Sequence, residues 1–428
     1  MKILVNYLYT HWWSLSFLCA FVFFSMDMSG IIGNWGYMAY YPVLFILSFY
    51  CIKRNKKINY LYVAYLTVCF LSAIVNDIPS YFNIPMRLGV FVLLLCSFSS
   101  LLNSREIALL RLHLFHIFSI LSVVLVSINY VLFSFGMGDN RQMEVFEEQG
   151  LYTGSTANNE MGLLCAIAIM YIVVFAGKYY KHFNLIEKIL LLFALICSIS
   201  MMGMASSRMA LMCTLVSVII VLLRMNRKKF FKLILIGVIF IAGLFAVSNI
   251  LGDKFRFMLS KNGVNTEMID THSRDEMWEG RVREYRENPI LGCGFAYMKY
   301  GWGSLGAKNN KGRIETGSGW LSVLSQTGTA GAFCLFFIVV PNVIYLIRRR
   351  SDSYCYLWIL GMCIMFLLQP ITEAYITTVG AVLCCLFWLN YSVIDSFRKG
   401  ILKEEDLDLS IYSEYKWFDK RLKRLKNK

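Results

Sequence analysis

The sequence predicts an all-α, polytopic integral membrane protein with about twelve transmembrane helices and one long extracytoplasmic loop late in the chain. Of the 428 residues, 57% are hydrophobic and only 16% are charged, whereas about a quarter of the residues in a soluble domain are charged. Twelve spans of ~20 residues require ~240 apolar residues, and the composition supplies about that number. A soluble enzyme, a disordered chain and a secreted disulfide scaffold are therefore excluded.

Twelve apolar segments carry the predicted spans, and their composition is typical of helices that cross a bilayer. The thirteen cysteines lie mostly within them and form no CxxC pair. We interpret these cysteines as small hydrophobic residues and expect no metal site. The segments are residues 8–25, 37–52, 58–75, 88–102, 112–135, 158–176, 189–204, 209–223, 230–249, 328–347, 354–369 and 376–394.

Basic residues mark one side of the predicted membrane. Basic clusters such as residues 53–57, 224–229 and 348–350 alternate along the chain with less basic connections. Because Lys and Arg retain loops in the cytoplasm, this side and both termini are predicted to be cytoplasmic. The net charge of +15 therefore indicates membrane topology, and we expect no nucleic-acid partner.

Four regions follow from this arrangement. Transmembrane helices 1–9 occupy residues 1–249, and an extracytoplasmic loop with short helices occupies residues 250–327. Transmembrane helices 10–12 occupy residues 328–394, and a basic amphipathic cytoplasmic tail occupies residues 395–428. The tail is expected to lie on the anionic inner leaflet, with a solvated tail as the alternative. A loop as long as this one usually has its own structure and function.

The long loop contains a predicted helix. Ser273 and Glu276 form a capping box that starts the helix at Arg274, and Asn288–Pro289 ends it. Its opposite faces differ in chemistry. One face has balanced charge and is expected to be solvated; it carries Glu276, Glu279, Arg283, Arg286 and Glu287.

The other face of this helix combines cations with aromatic rings and contains no acid. Guanidinium groups match phosphate oxygens bidentately, and aromatic rings stack on sugars, so this face predicts a site for a phosphorylated glycan. The alternative is that it packs on neighbouring helices while its arginines reach the surface. Its residues are Arg274, Met277, Trp278, Arg281 and Tyr285.

Further candidates lie at the predicted outer ends of spans. Arg208 follows a small-residue turn, and because an arginine at membrane depth costs at least ~2.5 kcal/mol, a functional role is favoured. Glu315 lies beside a helix N-terminus, where it either acts as a base or stabilises the helix dipole. Glu160 and Glu373 lie on the same side and serve either the chemistry or structural pairing with arginine.

The order of these segments resembles the superfamily of O-antigen polymerases and O-antigen ligases, over about residues 150–375. The resembling pieces are GLYTGSTANNEMG at 150–162, SSRMAL at 206–211, and Arg274 followed by Trp278 in the long loop. NPILGCG at 288–294 and QTGTAG at 326–331 complete the set. An arginine with a glycine eleven positions later, a spacing noted in polymerases, occurs twice, as Arg281 with Gly292 and Arg283 with Gly294.

This resemblance implies a membrane glycosyltransferase of the bacterial cytoplasmic (inner) membrane, with its active site on the extracytoplasmic side. The donor is an oligosaccharide linked to undecaprenyl diphosphate. The acceptor is a sugar hydroxyl of a second lipid-linked repeat unit, in O-antigen or capsule synthesis, for a polymerase. For a ligase it is a lipopolysaccharide core. Neither a metal nor a cofactor is implied, and a chain-length regulator and a flippase of the same pathway are the expected protein partners.

The resemblance also suggests roles for individual residues. Arg208, Arg274 and Arg281 would stabilise the diphosphate leaving group. A carboxylate would take the acceptor proton, with Glu315 as first choice and Glu160 and Glu373 as alternatives. The expected contacts to the substrate come from Glu160, Trp278, Arg283, Tyr285, Trp320 and Glu373.

Two other functions stay open. Related ligases carry a histidine in the motif after the long loop, where this chain has Gly317, Ser318 and Gly319, so a polymerase is favoured over a ligase. The alternative from another class is a flippase or transporter of the lipid-linked oligosaccharide. A transporter predicts charged residues buried in mid-span, which the sequence hardly contains, and it leaves the long loop unexplained.

Overall fold

The protein is an all-α, polytopic helical bundle. The computed structural model describes residues 35–135, 158–205, 207–225, 274–300, 317–349, 351 and 353–407. The helices in these ranges are α1 (Trp35–Arg54), α2 (Tyr60–Val75), α3 (Ile84–Phe98), α4 (Arg105–Ser134), α5 (Asn158–Tyr179), α6 (Leu185–Met204), α7 (Arg208–Met225), α8 (Asp275–Glu287), α9 (Gly319–Arg348), α10 (Tyr354–Leu368) and α11 (Val382–Arg398).

Ten of the twelve predicted apolar segments coincide with these helices. The other two, residues 8–25 and 230–249, lie outside the described residues. Within the described part, seven helical segments are long and apolar enough to cross a membrane. The all-α membrane fold is therefore confirmed, whereas the count of twelve spans stays a prediction.

Short polar side chains begin several helices. Asn59 caps α2, Ser104 caps α4, and Ser353 caps α10, each by accepting a hydrogen bond from a backbone N–H of the first turn. In α6, Asn184 and Glu187 form a capping box. These side chains satisfy amide groups that have no partner inside the helix.

The bundle has buried central helices and apolar outer ones. Most of α5 and α10 is buried, whereas less than a third of α6 and α7 is. Exposed side chains on α6 include Leu185, Ile186 and Leu192. An apolar helix surface without a protein neighbour fits a hydrocarbon environment.

One end of the bundle, the basic end, is rich in arginine. Arg54 pairs with Glu106 (3.4 Å), and Arg105 pairs with Asp406 (2.8 Å). There, β1 (Lys57–Ile58) and β2 (Leu102–Asn103) form a short antiparallel pair with Lys57 opposite Asn103. Arg349 pairs with Glu404 (2.7 Å), which lies in the same short turn as Asp406, so Arg54, Arg105 and Arg349 all lie at this end.

Arg111 lies inside α4 and is fully buried. Its guanidinium donates to the carbonyls of Cys96 (2.9 Å), Ser97 (2.8 Å) and Leu102 (2.8 Å). Cys96 and Ser97 belong to the last turn of α3, where carbonyls lack intrahelical partners. A side chain of α4 therefore supplies the hydrogen-bond donors for the C-terminal end of α3.

The opposite end carries α8 and a break in α9. The predicted span at residues 328–347 continues back into the predicted loop, so that both form one element, Gly319–Arg348. Its backbone leaves the helical region at Gly328 (φ 63°, ψ −165°). A 3₁₀ turn, Gln369–Ile371, follows α10 at this end. These elements build the candidate site.

Candidate active site

Arg274 joins three segments at this end of the bundle. Its Nη1 donates to the carbonyls of Gly317 (3.0 Å) and Thr372. Its Nη2 forms an ion pair with Glu373 Oε1 at 2.5 Å. The two side chains are 18% and 17% exposed, so the pair is largely shielded from solvent and remains accessible from one side.

The position of Arg274 follows from how α8 begins. Arg274 is the N-cap of α8 and makes no side-chain cap, so its guanidinium is available for Glu373. The predicted start at Arg274 was one residue early, and Ser273 of the predicted capping box lies outside the described residues. Asp275 and Glu276 occupy the first turn, where their negative charges interact favourably with the helix dipole. The predicted stop at Asn288 is confirmed, since Asn288 is the C-cap.

Arg281 forms a buried ion pair on the same helix. Its Nη1 lies 2.7 Å from Glu284 Oε2, and the side chains are 1% and 0% exposed. Burial, the largest influence, lowers the pKa of Arg281 and raises that of Glu284, while their mutual attraction opposes both shifts. The expectation that no acid neutralises this face was wrong, because Glu284 lies one turn from Arg281.

The buried pair fastens α8 to the chain segment that follows it. Glu284 Oε1 accepts hydrogen bonds from the backbone amides of Lys299 (2.6 Å) and Tyr300 (2.9 Å). Arg281 Nη2 donates to the Tyr300 carbonyl (2.5 Å). Arg281 is therefore placed inside this segment and away from Arg274, and its predicted catalytic role remains a prediction.

The two glycine-containing motifs of the sequence bind each other through backbone hydrogen bonds, in an arrangement that we name the clasp (residues 289–294 with residues 325–330). At the break in α9, carbonyls and amides lose their helical partners, and the loop after α8 replaces them. The bonds run from Thr329 N to Pro289 O (2.8 Å), Ala330 N to Ile290 O (3.1 Å), Cys293 N to Ser325 O (2.8 Å) and Gly294 N to Gln326 O (3.3 Å).

Two glycines make this close approach possible. A Cβ at Gly328 would lie 2.2 Å from the Ile290 carbonyl oxygen, and one at Gly292 would lie 2.4 Å from the Gln326 carbonyl carbon. Both glycines also have positive φ angles, 63° and 73°. Between Arg281 and Gly292, eleven positions later, the chain completes α8 and reaches α9. Gly292 then packs against the break in α9.

The clasp is anchored to α2 and enclosed. Ser72 Oγ donates to the Gln326 carbonyl (2.5 Å), and Asn76 Nδ2 donates to the Gly292 carbonyl (3.1 Å). Cys293 inside it is 4% exposed, and burial raises the pKa of its thiol. A protonated, buried thiol is unreactive, which agrees with the interpretation of Cys293 as a small apolar residue.

Glu160 lies near the Arg274–Glu373 pair. Glu160, in the first turn of α5, is half-buried and interacts electrostatically with Glu373. Arg208 begins α7, and the preceding Ser207 packs against Gly162 of α5, where an added Cβ would lie 2.5 Å from the Ser207 Cβ. The structure thus brings three predicted residues together, whereas Arg208 is placed only at the start of the helix beside α5.

Both candidate tryptophans are held by backbone carbonyls. Trp278 Nε1 donates to the Gly317 carbonyl (3.1 Å), the same oxygen that accepts from Arg274. Trp320 Nε1 donates to the Leu367 carbonyl (3.2 Å), and its ring meets Phe387 edge-on. The Trp278 ring is therefore fixed beside Arg274, whereas Trp320 is fixed against α10.

The remaining predicted residues of α8 lie farther along the helix. Tyr285 is half-buried. Arg283 is exposed, with its guanidinium 4.2 Å from the centre of the Tyr300 ring. A cavity of about 580 Å³ lies along the charged face of α8, which the sequence predicts to be solvated. Its lining is Asp275, Trp278, Glu279, Val282, Arg283 and Arg286.

Glu315, the first choice as base, lies outside the described residues. The sequence did not predict that the carbonyls of Gly317 and Thr372 bind Arg274, because every residue has a backbone carbonyl. It also missed Glu284, although the i, i+3 spacing from Arg281 was a usable signal. The pairing of Arg274 with Glu373 joins residues 99 positions apart and has no local signal.

One protein-family model matches the part of the chain that contains α7, α8 and the clasp. Residues 189–336, about a third of the chain, match the family model described as O-antigen ligase. This stretch includes α7 with Arg208, α8 with Arg274, and both halves of the clasp. A search of the curated proteins gives no match. This stretch of the chain is therefore similar to the family described as O-antigen ligase, in agreement with the resemblance seen in the sequence.

Proposed function

We propose that the protein is a polysaccharide polymerase that transfers a glycan from undecaprenyl diphosphate to a sugar hydroxyl of another lipid-linked repeat unit. The observation that carries this proposal is the convergence of the Arg274 guanidinium with the carboxylates of Glu373 and Glu160 at one end of a membrane bundle. Such a site offers a cation for a diphosphate and an acceptor for a proton. Transfer between lipid-linked sugars needs both.

The reaction has a simple balance. The acceptor oxygen forms a bond to the anomeric carbon as the bond from that carbon to the diphosphate oxygen breaks. The diphosphate leaves with the electron pair, so negative charge grows on its oxygens. The hydroxyl proton passes to a protein carboxylate. Fixed cations at the leaving group and a nearby carboxylate at the acceptor lower the barrier.

Arg274 retains donors for the leaving group. A guanidinium has five N–H groups, and the carbonyls of Gly317 and Thr372 and the carboxylate of Glu373 take three of them. Within the described part of the chain, Nε and one N–H of Nη2 stay available for phosphate oxygens. The three protein contacts fix the orientation of this fork before substrate binds, which is the condition for electrostatic catalysis. We assign Arg208, at the start of α7, as a second cation for the diphosphate.

We assign the proton to Glu160, with Glu373 as its neighbour. Glu373 is already engaged by Arg274 at 2.5 Å, whereas Glu160 interacts with Glu373 electrostatically and lies in the first turn of α5. Glu373 then has a double task, since it orients Arg274 and keeps a carboxylate pair close to the acceptor. Trp278, fixed on the Gly317 carbonyl, provides a stacking surface for a sugar next to the reacting bond.

The test is polymerisation by purified protein supplied with its lipid-linked repeat unit. Arg274→Ala and Glu160→Gln are expected to lose polymer, since each removes a group that acts on the reacting atoms. Arg54→Ala is the matched control, because Arg54 forms an exposed ion pair at the basic end. Chains of normal length from Arg274→Ala, at equal protein concentration, would refute the assignment of the site.

The choice of a polymerase over a ligase is supported by the segment before α9. Related ligases carry a histidine where this chain has Gly317, Ser318 and Gly319. A Cβ at Gly319 would lie 2.9 Å from the Glu373 carbonyl oxygen, and Gly317 has a φ of 70°. Ser318 caps α9 with its hydroxyl. A side chain at Gly317 or Gly319 would therefore be strained or crowded.

A ligase is the second candidate, because the matching family model is described as O-antigen ligase. Products in cells separate the two. Loss of a polymerase leaves single repeat units on the acceptor, whereas loss of a ligase leaves polymer on the lipid carrier. Movement of the lipid-linked unit across vesicles without glycosidic bond formation would instead favour a flippase.

The proposed location is the bacterial cytoplasmic membrane, with the site on its outer side and the termini inside. The clustering of Arg54, Arg105 and Arg349 at the basic end supports this orientation under the positive-inside rule. Labelling of an introduced cysteine at exposed Glu279 by an impermeant reagent tests it. Labelling of intact cells supports the orientation, and labelling only after lysis would reverse it.

A further inference from the structure

Polar side chains without hydrogen-bond partners lie in the bundle interior next to Glu373. Both amide atoms of Gln369, the Thr372 hydroxyl, and the hydroxyls of Tyr375 and Tyr391 are buried and unpartnered among the described residues. Gln369 and Tyr391 are 0% exposed, and Tyr375 is 3% exposed. A buried polar group without a partner is costly, so a set of this size indicates bound water.

These four residues, which we name the polar strip, connect to the candidate site. The Gln369 carbonyl accepts the backbone amides of Thr372 (3.1 Å) and Glu373 (3.2 Å), so the three residues form one tight turn. The Tyr375 hydroxyl interacts electrostatically with both Tyr391 and Glu373. Its ring and that of Tyr391 pack against Phe387, with ring centres 6.2 and 4.9 Å apart.

We propose that the polar strip holds a short chain of ordered water molecules that hydrogen-bonds to the Glu160–Glu373 carboxylate pair and stabilises the proton that this pair takes from the acceptor. This inference rests on the proposed function. Arg274 and Glu373 are already less than one-fifth exposed, so a bound diphosphate and a bound acceptor close the outward path to solvent. Water on the inner side of the pair supplies the hydrogen bonds that keep this proton on the carboxylates until the product leaves.

The proton balance follows from the reaction. The acceptor O–H bond breaks, and its proton moves to the carboxylate pair and stays there, hydrogen-bonded to water in the polar strip. It returns to solvent when product departure reopens the site. The groups that face Glu373 are Arg274 from α8, Glu160 from α5 and Tyr375 from its own segment, and Cys213 of α7 lies by the Tyr375 hydroxyl.

The experiment compares Tyr375→Phe and Tyr391→Phe with Tyr65→Phe. Tyr65 is a matched control, because its hydroxyl is also buried and unpartnered among the described residues while its ring packs against Phe91 and Trp388. Initial polymerisation rates are measured from pH 5.5 to 8.5, together with the solvent deuterium isotope effect. We expect Tyr375→Phe to lower kcat about tenfold or more, with an altered pH profile and an unchanged KM, and Tyr65→Phe to retain the wild-type profile.

Two outcomes overturn the proposal. One is a Tyr375→Phe enzyme with the pH profile, isotope effect and kcat of Tyr65→Phe. The other is a Tyr375→Phe enzyme with a lower thermal midpoint but normal kcat per folded molecule, which is the signature of a structural role. Glu160→Gln and Arg274→Ala separate this failure from a failure of the proposed function. If those two variants are inactive and Tyr375→Phe is normal, only the role of the polar strip is lost.

Discussion

The break in α9 gives a sharp prediction for Gly328→Ala. An alanine Cβ at this position would lie 2.2 Å from the Ile290 oxygen and 2.7 Å from the Gly292 nitrogen. The two segments of the clasp must separate to make room for this Cβ. Thr329 N–H and Ala330 N–H then lose the carbonyls of Pro289 and Ile290.

The expected loss of stability has two parts. A non-glycine residue at the backbone angles of Gly328 (φ 63°, ψ −165°), a region essentially confined to glycine, costs about 1–3 kcal/mol, and the two lost backbone hydrogen bonds cost about 1 kcal/mol each. Gly328→Ala should therefore destabilise the folded protein by about 3–5 kcal/mol. Because α8 is docked through the clasp, Arg274 should also lose its fixed position, and polymerisation should fall with stability.

Gly400→Ala isolates the backbone part of this cost. Gly400 has a φ of 68°, close to the 63° of Gly328, and an added Cβ there would meet open space. It should lose only about 1–2 kcal/mol. Gly89→Ala, in the helix α3 with open space around it, is the neutral reference.

The assay is thermal unfolding of the purified protein in detergent, followed by polymerisation at a temperature where every variant is folded. The reasoning predicts midpoints in the order Gly89→Ala, Gly400→Ala, Gly328→Ala, from highest to lowest. A Gly328→Ala midpoint equal to that of Gly400→Ala would refute the steric argument. Full activity in a destabilised Gly328→Ala enzyme would refute the link between the clasp and Arg274.

Three further predictions concern α8 and the clasp. Arg281→Met should destabilise the fold by about 3–5 kcal/mol, since it leaves Glu284 buried without its partner. Adding Glu284→Gln, which removes the charge and keeps an acceptor for the amides of Lys299 and Tyr300, should recover much of this loss, and denaturant unfolding that shows no recovery would contradict the pairing. A variant retaining only Cys293 should resist maleimide at neutral pH until denaturant is added, because burial raises the pKa of that thiol; rapid labelling of the native protein, followed by mass spectrometry, would show that the clasp opens. Trp278→Phe keeps a ring but removes the donor to the Gly317 carbonyl, so KM for the lipid-linked substrate should rise about fivefold or more at ~1 kcal/mol per hydrogen bond; an unchanged KM would show that this hydrogen bond does not position a sugar-binding ring.

The sequence predicts the bundle well because bilayer insertion depends on local composition. Runs such as residues 189–204 and 354–369 need no knowledge of their neighbours to become α6 and α10. The end of α8 at Asn288 is equally local, since a following proline blocks helix continuation. The exact start of α8 was less accessible, because Arg274 is held by tertiary contacts and makes no local side-chain cap.

The site was only partly predictable. Topology placed Arg274 and Glu373 on the same side, but their pairing depends on how α8 docks against the turn after α10. The buried state of Arg281 also depends on packing, because the same guanidinium on an exposed face would be free to bind phosphate. The clasp was visible as two glycine motifs, yet only the break in α9 explains why each motif needs the other.

The clasp has a consequence for protein engineering. Under the proposed function, exchanging the segment around α8 for that of a relative is a route to a different polymer. Residues 289–294 obtain their backbone partners from residues 325–330, so a donor loop transplanted alone would meet a foreign membrane helix. Successful chimeras should carry the two segments together, with crossover points before α8 and beyond Gly331, so that each loop travels with the helix that receives it.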